Sequence, residues 1–202
     1  MKKIACLLVG LTFIGSVNAT LIDNTGFFTD DIASLNWRDM SYSDGLSYDQ
    51  AVASTLSGGV NEGYRVATGT EVLGLFNTYI PTVLTTSSSW VNVGAGNGPA
   101  AIFYDLFGTT YGAGPDPDYQ SIIAYTSSLS GSRHLTVQLH DYENGGDIFF
   151  GYDRWGSADS QASSNFGTFL VSSATSVPEP ASIMLLGLGL AGIGFSRKKK
   201  SA

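Results

Sequence analysis

Cysteine occurs once in these 202 residues, as Cys6, and lysine is absent from Thr20 to Ser176. Histidine occurs twice, as His134 and His140. Each scarcity excludes a class of chemistry. Cys6 lies early in an apolar N-terminal run, before the place a lipoprotein attachment cysteine would occupy. A chain that loses this run has no thiol, so a disulfide framework, a cysteine nucleophile and a thiolate metal site are excluded. Without lysine, residues 20–176 have no Schiff-base amine and no lysine isopeptide partner. Arg38, Arg65, Arg133 and Arg154 stand against sixteen carboxylates there, a balance of −12 inside a whole-chain charge of −7. Phosphate backbones repel such a body, so no nucleic-acid partner is expected. On one strand, His134 and His140 would lie about 20 Å apart, too far to share a metal ion. No G-x-S-x-G elbow accompanies the abundant Ser and Asp. The expectation is a non-enzymatic domain with no catalytic residue, cofactor or metal site. A histidine-dependent hydrolase is a lesser alternative.

The two ends of the chain carry more definite signals. Lys2 and Lys3 precede an apolar stretch from Ile4 to Ile14, and Val17-Asn18-Ala19 has the small residues of a cleavage site. This predicts a secretory signal peptide over 1–19, cut between Ala19 and Thr20. A retained anchor or a buried helix is the alternative. At the other end, Ala181 to Phe195 is a run of 15 residues without charge. As a helix it spans about 22 Å, against roughly 30 Å of bilayer core. Arg197, Lys198, Lys199 and Lys200 follow it. Their long stems extend the effective span, and the positive-inside rule places them in the cytoplasm. A membrane helix over 181–196 and a basic tail over 197–202 are therefore expected. A buried core helix is the alternative for so short a run.

Just before the apolar run stand Val177, Pro178, Glu179 and Pro180. Motif, apolar segment and basic stop, in that order, are similar in layout to the sorting signal of sortase substrates. More specifically, the block resembles a PEP-CTERM sorting signal. That resemblance implies an exported protein of a Gram-negative bacterium that makes exopolysaccharide. It also implies exosortase, a membrane-embedded transpeptidase-like protease, as the processing partner. The chain would be held in the inner membrane, then delivered to the cell surface or beyond.

Between the ends, residues 20–172 are expected to form an exported α+β domain, with 173–180 as a polar stalk leading into the motif. Residues 20–36 look like a short extended entry or edge strand. Ser47-Tyr48-Asp49-Gln50 and Thr68-Gly69-Thr70-Glu71 are capping boxes. They predict helices over about 48–57 and 69–79, stopped by Gly58-Gly59 and Pro81. Pro99 to Phe107 is a candidate third helix, with Gly108 behind it. Tyr64–Ala67 and Trp90–Val93 read as short strands. From Tyr119 onward, Ile122–Tyr125, Leu135–Leu139, Ile148–Tyr152 and Phe166–Val171 predict an antiparallel meander. Thr136, Gln138 and His140 alternate with Leu135, Val137 and Leu139, as in a strand with one wet face. The fold expected is two or three short helices followed by an antiparallel sheet.

Trp37, Gly45-Leu46-Ser47, Tyr64 to Thr68 and Glu71 to Phe76 also resemble a segment of some PEP-CTERM proteins; this implies no activity. Arg65 is placed either to bind a ligand carboxylate or to pair with a nearby acid or cap a helix. Trp37, Trp90 and Trp155 are candidates for a sugar-stacking platform. Asp141, Glu143 and Asp147, and separately Asp116 and Asp118, partly match a calcium loop but lack its closing glutamate. The leading expectation is a structural or binding role in the envelope or the exopolysaccharide matrix. A glycan-binding module, with calcium as a candidate ligand, is the alternative.

Overall fold

The computed structural model describes residues 20–85, 90–95, 98–111, 119–142, 147–153 and 162–174. The chain opens with strands. β1 (Leu21–Asn24), β2 (Phe27–Asp30) and β3 (Leu35–Arg38) form an antiparallel meander. This corrects the expectation of one entry strand followed by helices. The alternation of FFTD and LNWR puts Phe28 opposite Trp37 on the inner face. Two adjacent strands thus each deliver a large ring to the core.

Both capping boxes form as the sequence predicts. Ser47 Oγ accepts from the Gln50 backbone N–H, and Gln50 Oε1 accepts from the Ser47 N–H. α1 (Tyr48–Ser54) starts there. Thr68 and Glu71 make the same reciprocal pair at the start of α2 (Gly69–Tyr79). Each box satisfies two helix-end donors that would otherwise be orphaned. α1 is shorter than expected and buries only Ala51, so little packing holds its last turn. α2 buries Val72, Leu73, Leu75 and Phe76, the helical spacing read from the sequence. Pro99–Ala101 is a 3-10 turn that runs into α3 (Ile102–Phe107), and Gly108 ends it at φ 74°.

Two five-stranded sheets frame these helices. The first has the order β1-β2-β3-β10-β4, with β4 at Arg65–Val66 and β10 at Leu170–Ser173. The second has the order β5-β8-β7-β6-β9. Its strands are β5 (Val91–Ala95), β6 (Tyr119–Ser130), β7 (Arg133–Tyr142), β8 (Asp147–Asp153) and β9 (Gly167–Thr168). β6, β7 and β8 make the expected meander, whereas β9 lies parallel to β6. The fold is α+β, with three α-helices and mainly antiparallel sheets among the described residues. The stretch Phe166–Val171, expected as one strand, belongs to both sheets. β9 pairs in the second, β10 in the first, and Phe169 stands between them.

The core is aromatic where the sheets meet. Phe28 and Trp37 stack at 6.4 Å between centroids. Phe107 meets Phe28 edge-on at 4.7 Å, and Phe169 meets Phe107 edge-on at 5.2 Å. Edge-to-face pairs of this kind add about 0.5–1.5 kcal/mol beyond burial. Phe76 of α2 packs on Phe103 of α3 at 4.5 Å. The expectation of a wet face on β7 fails. Thr136, Gln138 and His140 are buried, as are Val137 and Leu139 on the other face. Among the described residues no helix is long and apolar enough to cross a membrane. The expected membrane helix over 181–196 lies outside them.

Candidate functional site

Val177, Pro178, Glu179 and Pro180 lie outside the described residues, as do Ala19 and the basic stop Arg197 to Lys200. The structure places the points where the folded body hands the chain on to them. At the N-terminal end, Thr20 donates its backbone N–H to Asp31 Oδ1 at 2.9 Å, and its carbonyl accepts from the Asp31 N–H at 3.4 Å. At the C-terminal end, Ala174 donates its N–H to the Ser34 carbonyl at 2.9 Å. Both contacts fall on the turn between β2 and β3. That turn is organised by Asp30, whose Oδ1 accepts from the Ile32 N–H at 3.1 Å, the Ala33 N–H at 3.3 Å and the Tyr79 hydroxyl at 3.1 Å. Burial and the Asp30 carboxylate push the Tyr79 phenol well above its usual range. The carboxylate-to-turn contacts follow from an Asp two and three residues before the donors, a local pattern visible in the sequence. The tie to Tyr79 is not local and had no signal.

The two histidines are structural neighbours of aromatic rings, not partners. His134 stacks on Tyr48 at 3.6 Å, and its Nδ1 lies 3.1 Å from the Thr126 carbonyl. His140 is buried, with Nε2 at 3.0 Å from Gln138 Oε1 and the Trp90 ring edge-on at 4.8 Å. Burial holds its imidazole down at about 4, so it is neutral near pH 7.

Of the two expected roles for Arg65, pairing is the one observed. Its guanidinium donates to Glu71 through Nη1 at 2.9 Å and through Nη2. The Glu71 carboxylate also accepts from the Thr68 N–H and hydroxyl. The arginine and then the cap hold the Glu71 pKa down at about 2. Arg38 has a different setting, which the sequence did not signal. It stacks over Tyr42 at 3.5 Å, lies 5.1 Å from the Tyr64 ring, and donates through Nε to Asn61 Oδ1 at 3.3 Å. Asn61 is fully buried and also donates to the Tyr42 carbonyl and Ser54 Oγ. This knot pins the loop after α1 against β3.

Of the three candidate sugar-stacking rings, the structure removes one from the surface. Trp37 is completely buried in the aromatic core, which removes it from any surface. Trp90 is about half exposed, at 48%. Trp155 lies outside the described residues. Among the calcium-loop acids, Asp116, Asp118 and Glu143 lie outside them. Asp141 is buried, and its Oδ2 accepts from Gln120 Nε2 at 3.4 Å. Among the described residues no three His, Cys, Asp or Glu side chains are grouped to hold a metal ion. An open groove of about 580 Å³ runs along Asn77–Val83 and Pro99. Tyr79, already engaged with Asp30, is its one ionisable side chain.

Comparison with known proteins places the identifiable function in the tail. No curated protein and no solved structure matches the chain. The family model described as the PEP-CTERM protein-sorting motif matches residues 176–198. The match covers the Pro-Glu-Pro core, the apolar run and the start of the basic stop. It indicates export, processing at a membrane and recognition by exosortase. By this motif, the chain is a PEP-CTERM sorting-domain protein.

Proposed function

We propose that this protein is an exosortase substrate whose folded domain serves the cell envelope or the exopolysaccharide matrix in a structural or binding role, without catalysis. The single observation that carries this is the sorting motif at residues 176–198. Before processing, residues 181–196 hold the chain in the inner membrane, with the basic tail in the cytoplasm and the body outside. After processing, the body reaches the cell surface or the surrounding matrix. The aromatic core and paired capping boxes support a stable passenger. The balance of −12 over residues 20–176 supports a soluble, mutually repelling surface.

Replacing Glu179 with Ala in the native host tests the sorting reading. The wild-type product should lose mass at its C-terminal end, and E179A should keep its tail. The same mature mass from both chains would remove the proposal. Deleting the gene tests the matrix role, with loss or altered cohesion of the exopolysaccharide as the expected result.

Trp90 favours a second reading, glycan binding, because its ring is half exposed beside the buried polar strand β7. Glycan-array binding by residues 20–174 that disappears in Trp90→Ala would support it. Binding unchanged by the substitution would exclude this ring as the platform.

A further inference from the structure

The two ends of the folded body, Thr20 and Ala174, meet at one turn. Thr20 bonds Asp31, and Ala174 bonds Ser34. The turn is fixed in place by the buried Asp30 carboxylate and by Tyr79. We infer that the β2–β3 turn, Asp31 to Ser34, is the pole of the domain that faces the lipid surface while the chain is tethered. The inference rests on the membrane anchor proposed above.

Chain length carries the argument. Six residues, 175–180, separate Ala174 from the apolar run. Fully extended, they reach about 20 Å. A body of about 150 residues has a radius of gyration near 15 Å and is roughly 40 Å across. A tether about half that width cannot let the far pole turn toward the bilayer. The N-terminal end gives the same answer independently. Thr20 directly follows the expected cleavage residue Ala19, so an uncut signal peptide would hold the body at the same turn by a still shorter link. The orientation is mechanical. The turn contains Asp31 and no basic residue, so it has no electrostatic attraction to anionic lipid.

One consequence concerns processing. The sorting motif begins after only two further residues, Thr175 and Ser176. Exosortase must therefore act close beneath this turn, on a motif that cannot swing far from the folded body.

The chain from Thr20 to Ala202 has no cysteine, so single labels can be placed without further changes. Ala33→Cys marks the proposed pole. Thr25→Cys marks the β1–β2 hairpin at the other end of β2; both sites are exposed. The tailed chain, reconstituted in phosphatidylcholine vesicles containing a headgroup-nitroxide lipid, is read by fluorescence quenching. With about 13 Å of strand between the labels, quenching at Ala33 is expected to exceed that at Thr25 about twofold. Equal quenching on vesicle-bound chain, or stronger quenching at Thr25, overturns the orientation and leaves the anchor standing. A chain that fails to float with the vesicles overturns the anchor and the orientation together.

Discussion

Ala67 donates its backbone N–H to the carbonyl of Phe169 at 2.8 Å, where the chain crosses from the second sheet to the first. Phe169 in turn donates its N–H to the Tyr125 carbonyl at 3.1 Å. One residue therefore joins strands of both sheets by its backbone and fills the core between them with its ring. Phe169→Ala should cost about 3–5 kcal/mol by opening a cavity among Trp37, Phe107 and its other neighbours. Urea denaturation of residues 20–174 measures it. A loss below about 1 kcal/mol would mean that the two sheets do not share this core.

Ser43 makes a second fastening at the same crossing. Its Oγ accepts from the Thr168 N–H and lies in donating distance of the Thr168 carbonyl, both at 2.9 Å. Ser43→Ala leaves these buried backbone groups without that hydroxyl, at a cost of about 1–3 kcal/mol. Amide hydrogen exchange at Thr168 should accelerate in parallel. An unchanged midpoint and unchanged exchange would show that the hydroxyl is dispensable.

The Arg65–Glu71 pair predicts an acid-range effect. The folded-state pKa of Glu71 is about 2, below the unfolded carboxylate value. Its contribution is therefore present above about pH 4.3 and is lost as the pH falls toward 2. Both groups are partly exposed, so the pair itself is worth no more than about 1 kcal/mol. Glu71→Gln keeps an oxygen for the Thr68 cap and removes the charge. The variant should show a shallower loss of stability between those pH values than the parent chain. Parallel curves would contradict the pairing.

His140 acts over a higher pH window. Its folded-state pKa is about 4, lowered by burial, whereas an unfolded histidine titrates near 6.5. Between these values the unfolded chain takes up a proton that the folded chain refuses. Stability is full above about pH 6.5 and declines as the pH falls toward 4. An NMR titration should give a His140 midpoint near 4, and His140→Gln should flatten the stability curve across this range. A midpoint near 6.5 would place the ring in water.

The local elements were legible in the sequence because their causes are local. Ser47 with Gln50 and Thr68 with Glu71 lie three residues apart and stop the same helix-end donors wherever such a turn occurs. The period of Val72, Leu73, Leu75 and Phe76 likewise needed only a buried face to read. The sorting motif is a linear signal, so Val177 to Pro180 with the run behind them were readable without any fold.

What failed depended on distant partners. The short polar segment from Leu21 gave little strand pattern, and it becomes three strands because Phe28 and Trp37 find Phe107 and Phe169 from much later in the chain. Thr136, Gln138 and His140 alternate as a wet face should, yet they are buried, because periodicity reports which side differs and not what covers it. Trp37 was a candidate for a surface platform against the core role expected of most of the aromatics, and its burial settles it as core.

By itself the sequence determined the sorting motif, the acidic lysine-free character and the helix starts, since each depends on residue type and short spacing. Only the tertiary structure decided that Phe169 belongs between two sheets, and that the ends of the body, Thr20 and Ala174, both bond to the turn from Asp31 to Ser34. Those outcomes follow from hydrogen-bond pairing between strands far apart in sequence, where the free energy lies in contacts that no local pattern encodes.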